Sequence, residues 1–159
     1  MADKINYSNS QLTLLVVLRV LIGWHFLYEG ISKLVNPDWS SVAFLLDSEG
    51  FLSSFFQSLA SNPDVLKVVD FLNIWGLILI GLGLMLGLFS RISIIAGIIL
   101  LGMYYLSHPP MVGYTFSVPS EGSYLWVNKN LIEMAALAVL LGFPTGRQIG
   151  LDRFILKRK

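Results

Sequence analysis

The sequence predicts an all-α fold, an integral membrane four-helix bundle with short interfacial helices in its outer loops. Three observations lead to this expectation. The chain of 159 residues is 55% hydrophobic and only 13% charged, whereas an ordinary soluble domain is about 25% charged. Its mean hydropathy is +0.69. Four apolar stretches approach the length that crosses a bilayer, about 20 residues. We treat residues 1–159 as a single membrane domain.

The composition also argues against several functions. Cysteine is absent, which rules out a disulfide framework, a Cys-x-x-Cys redox motif and thiolate metal sites. No glycine-rich nucleotide fingerprint follows a plausible strand. The basic residues lie mostly in a short tail, so no nucleic-acid partner is expected. The first apolar stretch contains Arg19 and lacks a small-residue cleavage site, which predicts a retained helix rather than a signal peptide.

The first predicted span covers residues 12–35 and is interrupted by ionisable residues. It ends at Asn36-Pro37, because proline removes an amide donor and restricts the residue before it. Residues 39–67 mix short apolar runs with charges and Asn62-Pro63-Asp64. Those runs are too short to span, and they predict one or two interfacial helices.

The second and third spans are predicted at residues 71–90 and 92–107. Only Arg91 separates them, so they must form an antiparallel hairpin. Gly83 and Gly87 form a small-xxx-small pair of the kind that lets membrane helices approach closely. An aromatic loop then leads to the fourth predicted span, residues 128–143, and to a basic tail.

Four spans would place both termini on one side of the bilayer. That side, with the turn at Arg91, holds seven basic residues: Lys4, Arg91, Arg147, Arg153, Lys157, Arg158 and Lys159. The opposite loops hold only Lys67 and Lys129, beside six acidic residues. The positive-inside rule therefore predicts a bacterial inner-membrane protein with both termini in the cytoplasm.

The first helix carries an unusual row of ionisable residues. Arg19, Gly23, Phe26, Gly30 and Lys33 share one face, and His25 and Glu29 form a neighbouring strip that also ends at Lys33. A central Arg alone costs at least about 2.5 kcal/mol on insertion scales. These side chains should therefore face the protein interior and need partners there.

Arg19 has a candidate partner on the fourth helix. At 1.5 Å per residue, Arg19 lies about 10 Å and Glu133 about 15 Å from the cytoplasmic end. These depths predict a structural ion pair between Arg19 and Glu133 that ties the first helix to the fourth.

His25 and Glu29 are the candidate catalytic residues. A carboxylate one helical turn from an imidazole can hold its tautomer or take its proton, which suits proton transfer. The alternative is that both lie near the outer interface and satisfy each other. Two histidines without matched spacing do not favour haem ligation by His25 and His108, nor a metal site that adds Glu29.

A ligand site is predicted beside this strip. Seven aromatic residues fall toward the outer face: Trp24, Trp39, Trp75, Tyr104, Tyr105, Tyr124 and Trp126. An interfacial aromatic belt explains most of them, and the others would line a pocket for a flat ring such as a quinone. The predicted ligand-binding residues are Lys33, Trp75, Tyr104, His108, Asn128 and Asn130. The alternative for Lys33 is that it reaches the outer surface along its alkyl stem.

The order and spacing of several short motifs resemble the DoxX family of small bacterial membrane proteins. The matching segments are Arg19-x3-Gly23-x2-Phe26-x3-Gly30-x2-Lys33, the Gly76–Gly87 stretch with Phe89-Ser90-Arg91, Asn128-Lys129-Asn130-Leu131 to Gly142, and Gly150-Leu151-Asp152-Arg153. One departure is Asn73-Ile74-Trp75-Gly76, where many relatives carry a glutamate. A role that rests on that carboxylate is therefore not expected here.

The resemblance implies a four-helix membrane bundle with a loose association with redox chemistry. The family includes the DoxD-type subunit of thiosulfate:quinone oxidoreductase, and other members accompany oxidative-stress enzymes. We therefore expect a redox-associated subunit that binds a quinone-like ligand and receives electrons from a periplasmic or membrane partner. The alternative is a non-catalytic anchor that recruits a partner through its outer loops. A small transporter is disfavoured, because four spans without an internal repeat are few for alternating access.

Overall fold

The structure, a computed structural model, describes residues 7–117 and 125–155. These ranges form seven helices: α1 Asn9–Leu34, α2 Val42–Leu46, α3 Ser53–Ser61, α4 Pro63–Leu86, α5 Ser90–Ser107, α6 Lys129–Gly142 and α7 Asp152–Ile155. Six residues used in the sequence analysis lie outside the described ranges: Lys4, Glu121, Tyr124, Lys157, Arg158 and Lys159.

Helix α1 begins three residues before its predicted start. Ser8 and Gln11 form a capping box, in which each side chain accepts a hydrogen bond from the other residue's backbone N–H. This arrangement satisfies two amides that a helix start otherwise leaves unpaired. The polar residues before the apolar run are therefore part of the helix.

Helix α4 begins at Pro63, eight residues before the predicted second span. The segment Asn62-Pro63-Asp64 was expected to interrupt the apolar runs, and it starts a helix instead. The Asn62 side chain accepts from the amides of Asp64 and Val65 at 3.0 and 3.4 Å, and proline is favoured at a first helical position. Only α2 and α3 remain as short helices between α1 and α4.

Close backbone contact joins α1 to α4. A methyl group added at Gly81 of α4 would lie 2.5 Å from the backbone nitrogen of Leu27 and 2.7 Å from the carbonyl oxygen of Gly23. Glycine is therefore required at this crossing. The core beside it contains Phe26, Leu84 and Leu137, with Leu84 and Leu137 fully shielded from solvent.

The turn between α4 and α5 is held by the C-terminal segment. Gly87 and Phe89 both have positive φ, 61° and 46°. Phe89 offers no side-chain cap to α5, and the Asp152 carboxylate takes that place. It accepts from the backbone amides of Phe89 and Ser90 at 2.7 and 3.0 Å, and from the Ser90 hydroxyl. The Asp152 amide donates to the carbonyl of Gly87 at 2.9 Å.

Three helices in the described part of the chain are long and apolar enough to cross a membrane: α1, α4 and α5. Helix α6 has 14 residues, about 21 Å at 1.5 Å per residue, against a hydrocarbon core of about 30 Å. It packs on α5 and α1. The predicted fourth span therefore remains a prediction.

Candidate functional site

A cavity of about 750 Å³ opens at one end of the helix cluster, where α1 and α5 finish and α4 and α6 begin. We call it the end cavity. Segments 39–44 and 110–116 contribute to its outer wall. The sequence-predicted residues that line it are His25, Glu29, Lys33, Tyr104, His108, Asn128 and Asn130. The fold thus brings together seven of the eight residues proposed for catalysis or ligand binding.

The carboxylate that contacts His25 is Glu133, not Glu29. Nδ1 of His25 lies 2.9 and 3.1 Å from the two oxygens of Glu133, whose side chain is only 10% exposed. An ionised carboxylate can only accept, so Nδ1 donates and Nε2 is the acceptor nitrogen of the neutral ring. The predicted pairing of His25 with Glu29 is wrong, although Glu29 lines the same cavity.

Arg19 contacts other groups, so the predicted Arg19–Glu133 ion pair is also wrong. Arg19 is 3% exposed and donates to the Thr145 hydroxyl at 2.8 Å and to the Ile149 carbonyl at 2.7 Å. Arg19 does not reach Glu133 because Glu133 lies level with His25, which is six residues, or about 9 Å, further along α1 than Arg19. Arg19 instead binds the chain that turns back after α6.

A second polar chain joins α1 to α4 and α5 in the cavity wall. The Lys33 ammonium donates to the Asn73 side-chain oxygen at 3.0 Å, and the Asn73 amide donates to the Tyr104 hydroxyl at 2.6 Å. The ammonium lies 5.1 Å from the ring centre of Trp39 and 5.6 Å from that of Tyr104. Lys33 therefore points into the protein between two rings and does not extend to the outer surface.

His108 lies in an aromatic cluster at the outer wall of the end cavity. Its ring stacks on Phe44 with centroids 4.0 Å apart and lies 4.6 Å from Phe116. Nε2 is 3.7 Å from an Asp47 oxygen, while the other Asp47 oxygen accepts from the Ser117 amide at 3.0 Å. Burial lowers the pKa of His108, and the nearby Asp47 carboxylate partly offsets that effect.

Segment 39–44 of the outer wall is also anchored to α4. Asp70 accepts from the Ser40 hydroxyl at 2.8 Å and from the Ser41 amide at 2.9 Å. The Ser41 hydroxyl donates to the same carboxylate. Asp70 therefore holds the segment before α2 in the cavity wall, and its carboxylate is already hydrogen-bonded to Ser40 and Ser41.

Two predicted ligand contacts differ in the structure. Trp75 is 41% exposed, packs on Phe71 and lies outside the cavity wall. Its predicted contact with a ligand ring stays a prediction. Trp24 is also on the surface, with 56% of it exposed. Asn128 lines the cavity, but its side-chain oxygen caps α6 by accepting from the Leu131 amide at 3.0 Å.

The cavity wall also contains residues that sequence reasoning did not assign to a ligand site, among them Trp39, Phe44, Asn73 and Phe116. Trp39 had been noted only as part of the aromatic belt, and Asn73 only as a departure from the family pattern. The short loop segments that carry Phe44 and Phe116 have no periodicity that would assign them to a pocket. In residues 7–117 and 125–155, no three His, Cys, Asp or Glu side chains form a metal-binding group.

Comparison with known proteins agrees with the membrane character of the chain. No curated protein and no solved structure matches it. The model of the DoxX family matches residues 14–109, which is more than half of the chain and covers most of α1 and all of α2 to α5. The match ends before α6 and the Gly150–Arg153 motif. With its long apolar helices, this chain is an integral membrane protein, and it belongs to the DoxX family.

Proposed function

We propose that this protein is a redox-associated subunit of the bacterial inner membrane that binds a quinone-like ligand in the end cavity. The observation that carries the proposal is the cavity itself, about 750 Å³ with aromatic and polar walls. Ligand sites are typically concave spaces of about 300–1,000 Å³, mostly apolar, with a few converging polar groups. The volume and the lining both fit a flat ring that carries carbonyl oxygens.

His25 and Glu133 would handle protons in this function. Quinone reduction adds two electrons and two protons, so a quinone site needs a proton donor or acceptor near the carbonyl oxygen. Nε2 of the neutral ring would take up a proton from water, and Glu133 at 2.9 Å would stabilise the resulting imidazolium. The imidazolium would then donate that proton to the carbonyl oxygen of the ring being reduced, once for each of the two electrons that the partner delivers. Glu29 adds a second carboxylate to the wall.

The remaining wall residues would position the ligand. Tyr104, Phe44 and Trp39 supply ring faces, and aromatic pairs favour offset or edge-to-face contact. Asn130 and the Lys33 ammonium supply donors for carbonyl oxygens. Electrons would come from a periplasmic or membrane partner, since the residues of the cavity wall hold no redox group of their own.

The membrane arrangement belongs to the same proposal: four spans, with both termini cytoplasmic and the end cavity toward the periplasm. Supporting it, α6 carries buried Glu133, Leu137 and Leu140 on one face and exposed Ile132 and Val139 on another. The excess of basic residues at the termini and at Arg91 supports the orientation.

A titration with menadione tests the ligand proposal. The purified protein in lipid nanodiscs should show saturable quenching of tryptophan fluorescence, because Trp39 lies in the wall. His25→Ala should weaken binding about tenfold, the loss expected for one hydrogen bond to a charged or polarised group. The control Tyr28→Ala removes a 60% exposed side chain of the same helix and should bind as the wild type does. Absence of saturable quenching, or equal affinity in His25→Ala, would contradict the proposal.

The alternative, a non-catalytic anchor, has one observation in its favour. The loop at the cavity end exposes apolar side chains, with Val112 82% and Trp126 55% exposed. An anchor would retain its partner in His25→Ala or Glu29→Ala and lose it in Val112→Glu. Affinity purification without crosslinker distinguishes the two functions.

A further inference from the structure

From the surroundings of Lys33 we infer that the end cavity selects a ligand whose flat ring carries an anionic oxygen, such as the enolate of a hydroxyquinone or an aromatic carboxylate. This inference rests on the proposed quinone site and narrows its substrate class. The ammonium group of Lys33 would bind the negatively charged oxygen of this ligand.

The Lys33 ammonium is incompletely partnered. An ammonium has three donors, and the described contacts use one of them, to the neutral side chain of Asn73 at 3.0 Å. The faces of Trp39 and Tyr104 attract the cation but accept no strong hydrogen bond. Two N–H groups therefore remain for a ligand that enters the cavity.

No carboxylate in the described part of the chain lies within ion-pair distance of the Lys33 ammonium. Glu133 contacts His25, and Asp70 contacts Ser40 and Ser41. Glu29 lies one turn from Lys33 on the same wall, yet within the described ranges Lys33 forms no ion pair. A charge taken out of water is stabilised by an opposite charge in contact with it, and an anionic ligand would supply one.

The surroundings of Lys33 favour a flat ligand. The groups around Lys33 are aromatic: Trp39 and Tyr104 flank the ammonium, and Phe44 meets Tyr104 edge to face with centroids 5.7 Å apart. Rings pack well against such walls. A ring with its negative oxygen directed at Lys33 satisfies both the apolar surface and the charge, whereas a free inorganic anion would satisfy only the charge.

Two naphthoquinones of nearly equal shape provide the test. At neutral pH 2-hydroxy-1,4-naphthoquinone is an enolate, and its 2-methoxy analogue is neutral. Bound to the wild-type protein in nanodiscs of zwitterionic lipid, the enolate should have a Kd about 10-fold lower or more, the gain expected when a hydrogen bond becomes charge-assisted. Lys33→Gln should remove this preference, because it weakens binding of the enolate about 10-fold more than it weakens binding of the methoxy compound.

Two further variants keep the test decisive. Lys67→Gln changes an exposed lysine of α4 that pairs with Asp64, and it should keep the full preference. Glu29→Gln removes a negative charge one turn from Lys33 and should tighten binding of the enolate only, which provides a second readout if Lys33→Gln does not fold.

The outcomes separate this inference from the function on which it rests. Equal affinity for the two compounds, or a preference that survives in Lys33→Gln, would overturn the anionic-ligand inference and leave the quinone site standing. Binding of neither compound would overturn both. If nanodiscs rich in phosphatidylglycerol abolish the preference, the site accepts a lipid phosphate instead of a ring anion, which also overturns the inference.

Discussion

Ionisable side chains inside a membrane helix require partners, and in α1 those partners come from three different parts of the chain. Arg19 binds Thr145 and Ile149, His25 binds Glu133, and Lys33 binds Asn73. Each contact joins α1 to a segment distant in sequence. These contacts therefore fix how α1 sits against its neighbours, and His25 and Lys33 also lie in the wall of the end cavity.

A double-mutant cycle tests whether His25 interacts with Glu133 or with Glu29. We expect His25→Ala and Glu133→Ala to be coupled by about 0.5–3 kcal/mol in the free energy of unfolding, as is usual for residues in contact. The matching cycle of His25→Ala with Glu29→Ala should give a coupling near zero, because Glu29 does not contact the ring. Reversible unfolding in mixed detergent measures all the variants. A larger coupling to Glu29 than to Glu133 would contradict the geometry.

His108 predicts a pH dependence of stability. Burial lowers its pKa in the folded protein below the ordinary value of 6.5, so the unfolded chain takes up this proton at a higher pH than the native protein does. The contribution of His108 to the free energy of unfolding is therefore fully present above pH 6.5 and is lost progressively as the pH falls below it.

The measurement is the Tm in nanodiscs from about pH 7.5 down to about pH 5, the window in which an unperturbed histidine titrates. His108→Phe keeps a ring beside Phe44 and Phe116 but cannot titrate, so its Tm should fall less with pH than that of the wild type. Parallel curves for the two proteins would show that His108 does not contribute.

The candidate site was predictable in its location but not in its pairings. Helical spacing placed His25, Glu29 and Lys33 on one strip of α1, and all three line the end cavity. Spacing within one helix cannot reveal that Glu133 is the residue level with His25. That relation depends on how deep α6 sits against α1, which is fixed by tertiary packing and by the chain beyond α6.

At the scale of helices, local capping signals decide where each element begins. Ser8 and Asn62 set the starts of α1 and α4, and both lie outside the predicted spans, residues 12–35 and 71–90. A hydropathy pattern detects the apolar part of a helix and not its polar first turn. The predicted third span, residues 92–107, agrees with α5 within two residues because its apolar run almost fills the helix.

Glycine at the crossing of α1 and α4 makes a prediction about helix packing. Gly81→Ala should lower the free energy of unfolding by about 1–3 kcal/mol, because the added methyl would overlap the backbone of α1. Gly76→Ala is the matched control on the same helix, where a methyl meets nothing within 4 Å. It should be neutral or stabilise by up to about 1 kcal/mol, since alanine favours the helix.

Thermal unfolding of both variants in the same detergent provides the comparison. Equal destabilisation by the two substitutions would mean that helix propensity, and not the close contact of α1 with α4, determines the outcome.

For the whole molecule, composition predicted the membrane class, and the family match and the three long apolar helices confirm it. The number of spans depends on α6. Its 14 residues are short for a crossing, yet Glu133, Leu137 and Leu140 are buried against the other helices. The fourth span therefore stays a prediction.

Cysteine labelling determines whether α6 crosses the membrane, and the chain suits it because it has no cysteine of its own. Val112→Cys lies in the loop at the cavity end, and Ser10→Cys and Arg147→Cys lie near the start of α1 and beyond α6, all three at exposed positions. In intact spheroplasts a membrane-impermeant maleimide should label Val112→Cys alone, because the positive-inside rule places both termini in the cytoplasm. Permeabilised cells should label all three. Labelling of Arg147→Cys together with Val112→Cys in intact spheroplasts would mean that α6 returns to the same side, and the protein would then have three spans.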